Sequence, residues 1–281
     1  MKVRKVLPAI LLTAAVFFAV PSNAFNLPPM NLGLTDILDG ALPGPGTYFT
    51  QYIQGFQSDE FKLHQTVIGL EAKKQMEIAG DYPDVVIGCH GGGSNFGGIA
   101  LPFLPDKMAG GKKNPRLVAA EPASCPTLTK GVYAFDFGDT GKLTPIVKMY
   151  TLGRDFVPEG IHAGGLRYHG ASPLVSQLLS EGLLEAQAYP QLAVFSSSIA
   201  FARAEGLLPA PESAHAVHAA IQEAKKADEE GKEKTILFNL SGHGFFDMVA
   251  YDDFLTGKLA DHEHSEKKVR EALRNLPKVT V

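Results

Sequence analysis

The sequence predicts an α/β protein: an open, mostly parallel, twisted sheet flanked by helices, behind an irregular N-terminal extension. Three observations predict it. Short apolar runs, DVVIGC (84–89), RLVAAE (116–121) and TILFNL (235–240), have the length of buried strands. Segments with apolar residues at helical spacing separate them, and strands alternating with helices assemble into parallel sheets. Two glycine-bearing turns, GGGSN after the first run and SGHG after the last, fall at strand carboxyl ends, where such sheets bind ligands.

Taken in order, residues 1–24 begin with Lys2, Arg4 and Lys5, continue through an apolar centre and close on the small residues Ser22 and Ala24. That is the order of a secretory signal, and export in a bacterial setting is expected. The apolar part is short for a membrane span; an uncleaved anchor is its other reading. Residues 26–46 are dense in Pro and Gly and read as a linker, and TYFTQYIQGF (47–56) reads as one strand. HQTVIGLEAKKQMEIAG (64–80) places Ile68, Ala72, Met76 and Ala79 at helical spacing and ends in a glycine C-cap. After DVVIGC a helix is expected to start near Asn95. RLVAAE is the second strand, and a loop-rich region follows it to about Gly170. SPLVSQLLSEGL reads as a helix capped by Ser172 with Pro173 at its first position. PQLAVFSSSIAFARAEGLLP reads as another, ending at Gly206, and ESAHAVHAAIQEAKKADEEG as a third. TILFNL then opens into SGHG, and HEHSEKKVREALRNL closes the chain as a polar helix.

With 281 residues, a net charge of −4 and a pI near 6.1, the chain offers no basic stripe for a nucleic-acid backbone, and nucleic acid is not an expected partner. Its two cysteines, Cys89 and Cys125, are too few for a disulfide framework, and Cys89 ends an apolar strand where a buried free thiol is common.

The loop HGGGSNFGG (90–98) carries the chemistry. It lacks the GK[ST] ending of a nucleotide P-loop and the spacing of G-x-G-x-x-G. What remains is a nest of glycine amides leading into Ser94 and Asn95 at a helix start, where unpaired N–H groups favour an anion; a phosphate is the default occupant. The alternative is a tight strand-to-helix turn without a ligand. HGGG also matches the oxyanion loop of lipase-type hydrolases, but no G-x-S-x-G supplies a nucleophile. His215 and His218 stand three apart, His162 and His169 lie in a loop, and His262 and His264 lie near the tail; no H-E-x-x-H or cysteine cluster completes a metal set.

Four separated segments, VVIGCHGGGSNFGG, GLRYHGASPLVSQLLSEG, LLPAPESAHAV and LFNLSGHGFFDMVAYDDFL, resemble the C-terminal half of the tryptophan synthase β chain, in its TrpB-like subgroup, from about residue 64 onward. That family consists of pyridoxal-phosphate enzymes of fold type II. The resemblance implies that Gly91, Gly92, Gly93, Ser94 and Asn95 hold the cofactor phosphate and that Ser241 hydrogen-bonds the pyridine nitrogen. A hydroxyl is too weak an acid to stabilise a pyridinium, so the nitrogen would stay neutral. Glu212 matches a glutamate near the cofactor ring, and it also stands where a carboxylate faces a helix dipole. His90 departs from the pattern, since the family commonly carries a small apolar residue there; its ring either reaches the phosphate or faces solvent.

The family's Schiff-base lysine lies in a segment like S-H-K-x-N and its catalytic glutamate in one like G-A-G-Q-H-G, and neither motif occurs in the 281 residues. No catalytic residue is therefore assigned, and Lys73 and Lys74 fall on a helix whose family counterpart is not catalytic. LPGPGTYFTQYIQGFQSDEFK, behind a signal, resembles the start of outer-membrane proteins of the phenol-degradation meta-pathway family, whose strands form β-barrels. The expected organisation is a signal at 1–24, a segment with one strand at 25–62 and the β-chain-like half at 63–281. The two would be joined near residues 61–64 by gene fusion or an error of sequence assembly. By resemblance the chemistry is β-replacement of serine with indole to give tryptophan on pyridoxal phosphate, with this chain inactive alone. Partners would be a second copy, a tryptophan synthase α subunit, or a chain supplying the lysine half. The alternative is a non-catalytic exported or envelope-associated α/β protein. Export and the cytoplasmic site of the resembled enzyme point in opposite directions.

Overall fold

The computed structural model describes residues 64–279; the signal, the linker and the strand expected at 47–56 lie outside the described residues. Four strands, β1 (Val85–Cys89), β2 (Arg116–Pro122), β5 (Glu185–Tyr189) and β6 (Ile236–Phe238), form a parallel sheet in the order β5-β2-β1-β6. β1 pairs with β2 from Val85↔Arg116 and with β6 from Val85↔Ile236.

Both faces of this sheet are covered, which is why its strands read as unbroken apolar runs. On one face Val86, Leu117, Ala119 and Leu237 pack against Ala72 of α1 (Val67–Ala79), Phe96 and Ile99 of α2 (Ser94–Ala100), and Val175 and Leu178 of α5 (Pro173–Ser180). On the other, Val85, Ile87, Val118, Ala120, Ile236 and Phe238 pack against Phe201 of α6 (Gln191–Glu205) and Ala216, Val217 and Ala220 of α7 (Pro211–Glu229). The split follows the two-residue period of a strand. Three of the expected helix ends carry their predicted chemistry. Gly80 and Gly206 adopt left-handed conformations with φ of 69° and 71°, and the Ser172 hydroxyl accepts from the Val175 N–H at 3.1 Å.

The region expected to be loop-rich contains structure of its own. After the short helices α3 (Leu104–Ala109) and α4 (Thr127–Lys130), an antiparallel hairpin joins β3 (Val132–Phe137) to β4 (Ile146–Thr151), with Tyr133 stacked on Tyr150 at 5.1 Å. It docks on α5 through the Tyr150 N–H, which donates to Ser176 Oγ at 2.9 Å, and the Tyr133 hydroxyl, which donates to Gln177 Oε1 at 2.7 Å. Beyond the sheet, α8 (Met248–Leu255) packs on α6 through Phe195 and Tyr251. The last helix, α9 (Glu266–Leu273), buries Val269 and Ala272 against Cys125, Leu152 and Phe156.

His215, fully buried in α7, donates from Nδ1 to the Pro211 carbonyl at 2.8 Å, and its Nε2 meets no hydrogen-bond partner among the described residues. Burial pushes its pKa down to about 4, because the charged ring loses its water. The unfolded chain therefore binds this proton first. Its contribution to stability is lost as pH falls from about 6.5 to about 4, on the order of 3 kcal/mol. His215→Asn keeps a donor and does not titrate. The difference between variant and wild type in urea denaturation is expected to shrink by that amount across the window. A difference constant with pH would refute the assignment.

Candidate functional site

The site is built at the carboxyl end of β1. The strand ends at Cys89, His90 donates its N–H to the Ala120 carbonyl at 2.7 Å, and the chain then breaks from the ladder into the glycines before α2 starts at Ser94. Gly93 caps α2 with φ of 108°, a conformation costly for any residue with a Cβ. At Gly91 the constraint is space: a Cβ would stand 2.6 Å from the Leu166 Cα and 2.8 Å from the Gly165 carbonyl oxygen. Among the described residues, none of the backbone N–H groups from Gly91 to Phe96 has a backbone acceptor; the next one along, Gly97, donates to the Gly93 carbonyl. Consecutive unpaired N–H groups at a strand-to-helix turn form a concavity for an anion.

The predicted residues converge around this turn. Asn95 Oδ1 accepts from Asn239 Nδ2 at 3.1 Å, tying the loop to the chain leaving β6. Glu212, in the first turn of α7, accepts from the Gly165 N–H at 2.9 Å, and Gly165 is the residue that closes on Gly91. Ser241 lies 3.1 Å from Ser213, hydroxyl to hydroxyl, beside Glu212 in the same helix turn. The buried Cys89 thiol sits between them: burial and the Glu212 charge push it up to about 12, while a hydrogen bond with Ser241 opposes the shift. Glycine loop, Glu212 and Ser241 thus share one wall, with Cys89 in its floor.

Several members of this wall are not evident from the sequence. Gly165 and Tyr168 belong to the loop between β4 and α5, and the Tyr168 ring lies 3.8 Å from where a Cβ on Gly92 would stand. Asn239 directly follows the strand Ile236–Phe238; its backbone N–H still donates to the Ile87 carbonyl of β1 at 3.0 Å, while its side chain reaches Asn95.

His90 does not face solvent. Its ring is buried beneath the loop, edge-on to Phe96, with Nε2 3.4 Å from the Cβ position of Gly93 and Nδ1 3.9 Å from Glu121 Oε2. Glu121 accepts from the N–H groups of Leu128 (2.9 Å) and Thr129 (2.8 Å) and from the Thr129 hydroxyl (2.7 Å). Burial nevertheless raises its pKa to about 7.

The histidine pairs are dispersed. His215 holds its own helix, and His218 Nδ1 meets Ser197 Oγ at 2.7 Å across α6 and α7. No group of three or more His, Cys, Asp or Glu side chains is placed to hold a metal ion among the described residues. Lys73 pairs with Asp106 at 2.6 Å, and Lys74 with Glu77 at 3.0 Å.

A parallel α/β sheet with a glycine-rich turn at the carboxyl end of a central strand is the architecture of the fold type II class. The chain belongs to the family described as pyridoxal-phosphate dependent enzyme, which matches residues 44–242. The match opens at residue 44, inside the 25–62 segment expected to stand apart. Among curated relatives, the chain is 56% identical over 231 residues to "Tryptophan synthase beta chain 2" of Thermotoga maritima, covering 82% of this chain and 53% of the relative. It is 60% identical over 214 residues to the protein of the same name from Aquifex aeolicus, covering 75% and 49%. The chain spans about half the length of these relatives. A solved O-acetyl serine sulfhydrylase, isoform 3 from Entamoeba histolytica, is similar with a TM-score of 0.45 at 18% identity, covering 74% of this chain and 51% of that one. The family cofactor is pyridoxal 5′-phosphate. Its phosphate fits the residues present, by the unpaired N–H groups of 91–96 and the contact at Gly91 that leaves no room for a side chain.

Proposed function

We propose that this chain is the cofactor-phosphate-holding half of a tryptophan synthase β-like enzyme, whose reaction replaces the serine hydroxyl with indole to form tryptophan. The observation that carries the reading is the convergence of Gly91–Asn95, Glu212 and Ser241 at one end of the sheet. When bound, pyridoxal phosphate supplies an electron sink for carbanion chemistry at the amino-acid substrate.

The chain's own residues would do the following. The N–H groups of Gly91, Gly92, Gly93, Ser94 and Asn95 hold the phosphate oxygens, and Asn239 keeps Asn95 in place. Ser241 presents a hydroxyl to the pyridine nitrogen and keeps it unprotonated, since a neutral donor stabilises no positive charge there. Glu212 orders the wall by fixing Gly165 and lies beside the ring's position. The segment that would carry the cofactor's lysine does not occur in the 281 residues, so we propose that these residues on their own make no tryptophan. A homodimer partner or a tryptophan synthase α subunit belongs to the same proposal. Exposed apolar side chains just beyond Ser241, with Phe245 67%, Phe246 91% and Val249 73% accessible, support association at this end of the sheet.

Incubation with pyridoxal phosphate, borohydride reduction and peptide mass spectrometry tests the reading. Reversible binding with no single lysine fixed, and no tryptophan from serine and indole, is expected. One lysine labelled to completion, together with tryptophan formation by protein free of host enzyme, would overturn it.

A further inference from the structure

His90 and Glu121 lie directly under the cradle and have no role in the chemistry above. Both side chains are almost wholly buried, at 0% and 1% accessibility, with 3.9 Å between Nδ1 and Oε2. The Nε2 edge of the same ring lies beneath Gly93, whose N–H belongs to the cradle. Among the described residues packed around the pair, Phe96 from α2 and Ser172 and Val175 from α5 carry no charge, and Tyr168 covers the outer side of the loop. The Cys125 thiol beyond β2 is kept neutral by a pKa pushed up to about 12; the charges nearest this layer are Arg167, which acts on Cys125, and Glu212, which acts on Cys89.

We propose that His90 and Glu121 form a proton-holding pair beneath the glycine loop, and that seating a phosphate dianion in the loop draws one proton from solvent onto this pair. The inference rests on reading the loop as a phosphate cradle. With neutral imidazole and carboxylate, the pair carries one negative charge under the site. A phosphate dianion above it adds like charge through a buried layer, where the interaction is weakly screened. One proton held by the pair, between His90 Nδ1 and Glu121 Oε2, removes that repulsion and leaves the pair net neutral. The proton comes from the buffer acid, which is left as its conjugate base, and no bond other than the proton's changes. Burial outweighs the three donors on Glu121 and pushes its pKa up to about 7, so the pair already holds a proton well below that pH and uptake belongs to the range above it.

The test uses the full chain and pyridoxine 5′-phosphate, which has no aldehyde to react with surface lysines. Titration calorimetry at pH 7.5 in buffers of different ionisation enthalpy counts protons exchanged per ligand bound. Wild type is expected to take up about one proton more than the double variant His90→Val/Glu121→Gln, and its affinity is expected to fall about tenfold per pH unit from pH 7 to 8 relative to that variant. The phosphate's own titration is common to both proteins and cancels in the difference. If the double variant does not fold, Glu121→Gln alone, which removes the charge with little change in shape, serves as the reference for the difference. Binding without uptake, or equal uptake in both proteins, would overturn the pair while leaving the cradle standing. No binding at all would overturn both readings.

Discussion

Gly91→Ala is expected to abolish measurable binding of pyridoxine 5′-phosphate, a loss of at least about 100-fold, and to destabilise the fold by about 1–3 kcal/mol, the usual scale of overpacking. The new methyl would meet the Leu166 Cα at 2.6 Å and the Gly165 carbonyl at 2.8 Å. Both are backbone atoms, so no side chain can swing aside. Either the glycine loop lifts out of line with its N–H groups, or residues 163–168 retreat and the Glu212 bond to Gly165 breaks. Each outcome dismantles the site from a different side. Gly92→Ala is the internal control: its methyl would find the Tyr168 ring at 3.8 Å, an ordinary contact, and near-normal stability is expected. Ligand titration and thermal melts of the two variants separate a specific cradle from a loop that is merely short of side chains. Equal effects of the two substitutions would refute the assignment.

These adjacent glycines show how far the sequence could be read. GGG announces an anion nest by composition, but why Gly91 tolerates no side chain while Gly92 does depends on residues 165–168, more than 70 positions away. The strands of the sheet centre were legible because both their faces are buried, leaving DVVIGC and RLVAAE without a polar residue in the middle. β5, EAQAY, was not, because an edge strand paired on one side tolerates Glu185 and Gln187. The hairpin in 132–151 was hidden by the Gly- and Thr-bearing turn GDTGKLTP between its strands, although VYAFDF has the aromatic content of a strand. At the site, Glu212 and Ser241 were found through resemblance, while Asn239 and Gly165, though inside resembling segments, and Cys89, read only as a buried thiol, carried no sign of their place in the wall. His90 shows the limit most plainly: a polar residue next to a glycine loop reads as a ligand contact or a solvated ring, and only the fold reveals the buried carboxylate opposite it.

Arg116 illustrates the same point for stability, and its removal is expected to have the largest effect on folding of any single charged residue in the sheet. It opens β2, where the sequence shows only a polar residue preceding an apolar run. In the fold its guanidinium donates from Nε and Nη2 to the two oxygens of Glu185 in β5, at 2.9 and 2.6 Å, and from Nη1 to Glu223 in α7 at 2.7 Å. The two partners are not equivalent. Glu185 is about half exposed, so losing its pair costs little, since water replaces the guanidinium. The Glu223 side chain is only 5% accessible, and Arg116→Ala leaves it buried without its cation. Removing one member of such a pair costs about 3–5 kcal/mol, and the partial exposure of Arg116 places the expectation at the lower end, about 3 kcal/mol. The paired variant Arg116→Met/Glu223→Leu removes the stranded charge as well and is expected to recover more than half of that loss, because a buried ion pair is itself worth little against an apolar substitute. Urea denaturation of Arg116→Met, Glu223→Leu and the double variant closes the cycle, with Arg116→Ala measured beside them. If Arg116→Ala proves as mild as Glu185→Ala, the network is a surface ornament rather than the tie between the sheet and α7.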